Sequence, residues 1–450
     1  MDKKVLILID SPITNRHHYV FDFLFYENLG LSYTITSDIS QFKECNDSLK
    51  INYSGKQYDS SNCLKVFNQG FLEQNQIYQN FQPEVLNSGK ETLLFPALVD
   101  FTFDINFDIF SACFYLLSRY EEYQNFEPDK HIRFCSSSSL AKKYDFIQFP
   151  LVDSWIELIR VRLNSISDLK IEKAKYTFQP TYDIDIAWAF KHKGFVRTLG
   201  LLVRLLKSKN KQLNIDIINT LFNNKKDPYQ VFDDLDNLHE TYSIANAIYF
   251  FAVGKWSSFD KNTSISNLEF QSLIQRIHKK YELGIHPSYR SNTHVDILKS
   301  ELQSLEKTVE KNILKSRQHY LKLSFPTTYQ NLIQQGIKED YTLGYSDCIG
   351  FRASCSRSFL WYDLSEEKTS TLRIFPFQVM DISLFNYMNL SPEKALNQTE
   401  EIINYLHSFG GTLRTIWHNS SFYTEEGWTI EKQNMYESLI KKATKDMKFS

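Results

Sequence analysis

The stretch Pro180–Trp188, PTYDIDIAW, places two carboxylates, Asp183 and Asp185, one residue apart at the end of an apolar run. In an extended strand residues i and i+2 share a side, so both carboxylates can converge on one point. No Lys or Arg stands among their immediate neighbours. Like charges that close repel, unless a cation sits between them or one holds a proton. The plain alternative for any D-x-D is a helix N-cap or a solvated turn.

Other polar residues recur in similar settings. His286 follows an apolar run in GIHPSY, and Pro287 behind it prevents continuation into a helix. Arg317 and His319 lie in SRQHYLKL, where a further strand is expected; Asp381 ends PFQVMD and His418 follows TIW. Parallel sheets and barrels gather their chemistry at the C-terminal ends of strands, so five such ends bearing Asp, His or Arg form a candidate site. Plainer roles exist for each. Arg317 could form a surface ion pair and Asp381 could cap the next segment. Residues such as Tyr289, Trp188 and Trp417 more often fill a core than stack on sugars. His192, His239, His278 and His294 read as capped or core histidines.

The elements that must position these residues come in two textures. Residues 1 to about 170 look like mixed α/β. FDIFSACFYLLSRYEEY (107–123) predicts a helix with Ile109, Phe110, Cys113, Phe114 and Leu117 on one face and a solvated polar end, Arg119–Glu122. The charged turn EPDKH and the run SSSSL read as loop, and no catalytic constellation is visible in this half. From about residue 174 strands and helices alternate: YTFQPTYD, NAIYFFAVG, LGIH, TLRIFPFQ and TLRTIWH read as strands, with VRTLGLLVRLLKS, ISNLEFQSLIQRIHKKYE, VDILKSELQSLEKTVE and PEKALNQTEEIINYLHSFG as helices. Repeated βα units predict a largely parallel sheet, open or closed into a barrel.

Composition removes several classes. At 450 residues two or three domains are expected, and the 42% apolar, 23% charged mixture is that of a soluble globular chain. A net charge of −2 gives no basic field for nucleic acid or an anionic membrane. Val5–Ile9 is too short an apolar run for a signal peptide or a membrane span, and a cytoplasmic location is expected. Six scattered cysteines without C-x-x-C pairing suggest reduced thiols. Gly410-Gly411 is the only adjacent glycine pair, and no phosphate-cradling glycine motif occurs.

PTYDID, GIHPSY, SRQHYLKL, VMD and IWHNS follow one another in the order of the five motifs of the NodB-homology polysaccharide deacetylases (carbohydrate esterase family four), and the chain resembles that family over about 175–425. It resembles in particular the bacterial branch in which an uncharacterised α/β domain comes first. The resemblance implies an α/β fold, with an N-terminal mixed α/β domain (1–172) followed by a distorted (β/α) barrel of NodB-homology type (173–450). It implies one divalent metal ion, zinc before cobalt, nickel or manganese. Asp183 resembles the catalytic base, Asp185 and His286 metal ligands, Arg317 the arginine that orients the base, Asp381 the acid that tunes the last histidine, and His418 the general acid. Such a centre would polarise an acetamide carbonyl and protonate the departing amine.

The sequence departs from the family at two points. Ile184 separates aspartates that are usually adjacent, and Arg290 stands where a second histidine ligand is usual; arginine cannot ligate a metal. His319 is the candidate third ligand, ahead of His294, and Arg352 could share the arginine role or meet substrate beside Tyr289 and Trp417. The reading is a metal-dependent hydrolase removing N-acetyl groups from an amino sugar in a glycan or glycan precursor. Two other classes compete: an inactive glycan-binding barrel, and a glycosyltransferase using the D-x-D to hold a metal-bound nucleotide sugar.

Overall fold

Val5 to Leu8 are buried on both faces of the first strand, β1 (Lys4–Leu8), as a strand inside a parallel sheet requires. The computed structural model describes residues 4–45, 48–56, 58, 60, 62–98, 103–167, 170–223, 225–424 and 429–445. With β2 (Ser32–Thr36), β3 (Leu49–Asn52) and β4 (Cys63–Lys65), β1 forms a four-stranded parallel sheet in the order β2-β1-β3-β4. A short antiparallel pair follows, β5 (Val85–Leu86) and β6 (Leu93–Leu94).

The helix expected over 107–123 is shorter than its pattern. It runs Ile109–Leu117, capped by the Asp108 carboxylate, which accepts the Ser111 N–H. Arg119 then adopts a left-handed conformation (φ +56°) and a short 3-10 turn, Tyr120–Tyr123, follows. The polar end is not solvated. Arg119 and Glu122 are buried, with Arg119 Nε 2.7 Å from Glu122 Oε1, and Arg352 donates from Nε to the same oxygen at 2.9 Å and from Nη2 to the other. Burial alone would neutralise Glu122, but the charges of Arg352 and then Arg119 outweigh it and hold the carboxyl below its usual range. Arg352 is therefore committed to an internal ion pair instead of substrate.

The second half builds a nine-stranded sheet from β7 (Thr177–Ile184), β8 (Ile248–Phe251), β9 (Glu282–Ile285), β10 (Lys315–Ser316), β11 (Glu339–Asp340), β12 (Phe359–Asp363), β13 (Lys368–Ile374), β14 (Val379–Met380) and β15 (Thr412–His418), in the order β12-β13-β11-β10-β9-β8-β7-β15-β14. Only β12–β13 is antiparallel. β13 and β14 belong to one stretch of chain. The last residues of β13, Arg373 and Ile374, pair with β11, and β14 pairs with β15; between them Phe377 N–H donates to Leu343 O and Gln378 N–H to Arg414 O. The run of strands thus returns to β15, next to β7, and its C-terminal ends surround one space. Helices such as Leu268–His278, Val295–Val309 and Pro392–Phe409 cover the outside, each burying an apolar stripe. Gly410 ends the last of these at φ +73°, where a Cβ would approach Ala174 O to 1.9 Å.

The chain is a mixed α/β protein with one large sheet, and its two halves share a core: Val5, Phe110 and Trp155 belong to the same buried apolar cluster as Tyr249, Trp361 and Leu439. Polar contacts reinforce it. Arg16 Nε donates to Glu367 Oε2 at 3.0 Å, and Asp153 Oδ2 accepts the Ser356 N–H at 2.8 Å. All six cysteines are unpaired. Among the described residues no helix is long and apolar enough to cross a membrane.

Candidate functional site

β7 lies between β8 and β15, so Asp183 at its end is surrounded by neighbouring strands and is 2% exposed. Its partner is 134 residues away in sequence. Arg317, just beyond β10, donates from Nη1 to Asp183 Oδ1 at 2.8 Å and from Nε to Tyr341 O at 3.0 Å, with its guanidinium 4.3 Å from the Phe250 ring centre. Arg317 is fully buried, so the pair holds Asp183 in place with one oxygen engaged and the other facing the interior of the site.

Asp185 projects into the same space, part-exposed, and two histidines face it. His286 Nε2 lies 3.2 Å from Asp185 Oδ1, while its Nδ1 bonds Arg317 O at 2.6 Å. A carbonyl only accepts, so Nδ1 carries a proton and Nε2 is turned toward Asp185. His319 Nε2 lies 3.6 Å from Asp185 Oδ2, and its Nδ1 is 2.9 Å from Asp260 Oδ1. One ligand atom from each of Asp185, His286 and His319 lies within 4.8 Å of the others. Asp185 Oδ1 is buried and has no hydrogen-bond partner of good geometry, and His286 Nε2 faces it. A carboxylate oxygen so placed, with two oriented imidazoles, belongs to a donor set suited to a divalent transition ion. Arg290 is exposed and takes no part; its carbonyl accepts from the His294 ring at the start of the helix Val295–Val309.

On the other side stands His418, the register partner of Asp183 across β7 and β15. Its Nδ1 is 2.8 Å from Asp381 Oδ1, and its Nε2 points inward, 3.9 Å from Asp185 Oδ2. Asp381 is fully buried at the end of β14 and accepts three further hydrogen bonds, from Ile382 N, His418 N and Ser421 Oγ. Burial works against an imidazolium, but the Asp381 charge outweighs it, with Asp185 and Asp183 adding, and His418 is pushed up to about 10. His319 is likewise opposed by burial and raised by Asp185 and Asp260, to about 9.

These groups floor a cavity of about 320 Å³ whose walls include Phe259, Tyr320, Met380, Ile382, Tyr387 and Arg133. Of the three residues expected to meet substrate, none lines it. Tyr289 stands behind, stacked on Phe259 at 4.0 Å, and its N–H holds Asp260. Trp417 alternates to the outer face of β15 and packs on Tyr436. Arg352 is held by Glu122, as described. Two contributors escaped the sequence reading. Asp260 lies in the loop WSSFDKN, where a lone acid carries no periodic signal; its only pointer is its place shortly after β8. Arg133 comes from the first half, where no site was expected: it donates to Tyr320 O at 2.7 Å and to the Tyr387 hydroxyl at 3.1 Å, bracing two cavity walls.

Residues 6–168 match a family model described as a family of unknown function, DUF7033. No curated protein matches the chain. Similar solved structures include Puue allantoinase (8% identity, TM-score 0.40, 60% of this chain and 85% of that one). A probable polysaccharide deacetylase from Pseudomonas aeruginosa PAO1 is 9% identical (TM-score 0.39, 60% and 86%). A pseudoenzyme of the CE4 family from Bacillus anthracis is 10% identical (TM-score 0.32, 63% and 66%).

Proposed function

We propose that this protein is a metal-dependent hydrolase that removes an acetyl group from the nitrogen of an amino sugar in a glycan or glycan precursor. In this reading residues 173–450 form a distorted barrel of the NodB-homology type and residues 1–172 an α/β unit packed against it. The observation that carries the reading is the convergence of Asp185, His286 and His319 between two oriented proton-transfer pairs, Arg317–Asp183 and Asp381–His418. A divalent cation held by those three residues would polarise the acyl carbonyl and acidify a water molecule.

The chain's own groups do the rest. Asp183, fixed through one oxygen by Arg317, takes a proton from water as the water oxygen attacks the carbonyl carbon. His418 faces the same space and delivers its Nε2 proton to the amide nitrogen as the C–N bond breaks, leaving acetate and a free amine. Asp381 stabilises the charged ring until that moment. Phe259, Tyr320 and Tyr387 give the wall flat apolar surfaces on which a sugar ring can rest.

Metal content of the purified protein by elemental mass spectrometry, for wild type, Asp185→Ala and His319→Ala, tests the centre. One equivalent in wild type, lost in both variants, is the expected result, together with acetate release from N-acetylated sugars by wild type alone. Absence of metal after incubation with zinc, cobalt or manganese would overturn the reading and leave a glycan-binding barrel.

A further inference from the structure

Between Ile186 and Ile215 the chain carries seven basic residues and no acidic one, although its overall net charge is −2. Most of this stretch is the helix Phe195–Lys207 and the start of its neighbour, Lys211–Leu221. Leu201 and Leu205 face inward, onto the small cluster that includes Leu213, Ile217 and Tyr423. A second apolar set faces outward: Phe195 is 84% exposed, Val196 80%, Leu199 52% and Val203 43%. At 3.6 residues per turn these four fall within one arc of about 100°, bordered by Lys207 and Arg204. Ile215 and Phe222 on the neighbouring helix are exposed as well.

We propose that this helical hairpin is a docking face for the surface of an anionic lipid bilayer. The combination selects the occupant. A polyanion such as a nucleic acid or an acidic glycan would use the cations and leave the apolar arc in water. A second copy of this chain would cover the arc but bring two sets of like charges together. A helix lying in the plane of an anionic membrane uses both, its apolar arc among the acyl chains and its cations at the headgroups. The face is also tied to the candidate site. Arg197 donates to the carbonyls of Lys261 and Asn262 at 2.7 and 2.9 Å, in the loop that carries Phe259 and Asp260. Docking would bring to the bilayer a helix bonded to the loop whose Phe259 and Lys261 line the cavity. The proposal does not depend on the hydrolase reading and can fail or hold without it.

The test is co-sedimentation of the full chain with vesicles of phosphatidylcholine alone and of phosphatidylcholine mixed equally with phosphatidylglycerol. Wild type is expected to bind the mixed vesicles at least about ten-fold better, with binding that weakens as salt is raised. Lys207→Glu with Lys209→Glu should lower that binding by more than about ten-fold. Phe195→Ser with Leu199→Ser should abolish it while leaving the unfolding midpoint unchanged, since both side chains are exposed. Equal binding to the two vesicle types, or binding indifferent to both double variants, would overturn the proposal. So would a dimer in sedimentation velocity that Phe195→Ser with Leu199→Ser dissolves while vesicle binding is absent, which would assign the face to contact between copies.

Discussion

His286 and His319 each give up one ring nitrogen so that the other is aimed, but to different partners. His286 is aimed by a backbone carbonyl and His319 by the Asp260 carboxylate. A carboxylate makes the opposite nitrogen a stronger donor, so Asp260 is expected to contribute to affinity as well as orientation. Asp260→Asn keeps an oxygen near Nδ1 and removes the charge; it should weaken metal binding by about 10- to 100-fold, measured by competition with a chromogenic chelator. An unchanged affinity would reduce Asp260 to a loop cap. His418 offers a separate check. Its raised pKa means that the ring holds its proton over the neutral range and loses it only as pH rises through about 10. Asp381→Asn removes the main source of that rise, so the His418 resonance of the metal-free protein, followed by NMR, should titrate closer to the ordinary value of about 6.5. The alkaline limb of activity should move to lower pH with it. If the resonance stays where it was, Asp381 positions the ring without tuning it.

At the scale of elements, the strands of the second half were legible because each is a short apolar run ending in a polar residue, and runs of this kind have few other uses in a βα chain. The ends of strands β7, β9, β14 and β15 bring Asp183, His286, Asp381 and His418 to one space for the same reason. β10 was harder: only Lys315 and Ser316 pair, and His319 reaches the site from the turn beyond, where Tyr320 takes a left-handed φ of 60°. Residues in such turns carry no period. The buried group Arg119–Glu122–Arg352 was misread for a related reason, since charge at the end of a helical pattern looks solvated until a distant segment covers it. Replacing Glu122 by Gln leaves the buried Arg352 guanidinium without a counter-charge, while Arg119 keeps Glu121, and should cost about 3–5 kcal/mol in urea unfolding. Arg352→Met should cost less, because Arg119 still neutralises Glu122. Neither change should alter KM for substrate, and a raised KM in Arg352→Met would return that residue to the binding role that its geometry argues against.

At the scale of the whole molecule, sums over the sequence concealed what neighbourhoods reveal. The net charge of −2 hid a basic stretch, and the change in texture near residue 172 hid a core common to both halves. Arg133 could not be found from its own half, because the walls it braces come from residues 320 and 387. A shared core also means that a single buried group can influence the stability of the entire chain. His239 is such a group. Its Nε2 is 2.7 Å from the Tyr182 hydroxyl and its Nδ1 3.0 Å from the Tyr281 hydroxyl, and burial, with a smaller contribution from Lys280, lowers its pKa to about 4. In the unfolded chain the same ring titrates near 6.5, so between those values the unfolded state binds a proton that the native state does not. Stability is therefore full above about pH 6.5 and is lost as pH falls toward 4, by about 2 kcal/mol at pH 5 from this group alone. His17, also fully buried and lowered to about 4 by burial, acts in the same direction. Urea unfolding at pH 7 and pH 5 should show the loss in wild type, and His239→Gln should recover about 2 kcal/mol of the difference between the two pH values even if it lowers stability at both. An equal loss in wild type and variant would mean that His239 is protonated in the native core, with a phenol oxygen accepting from each ring nitrogen.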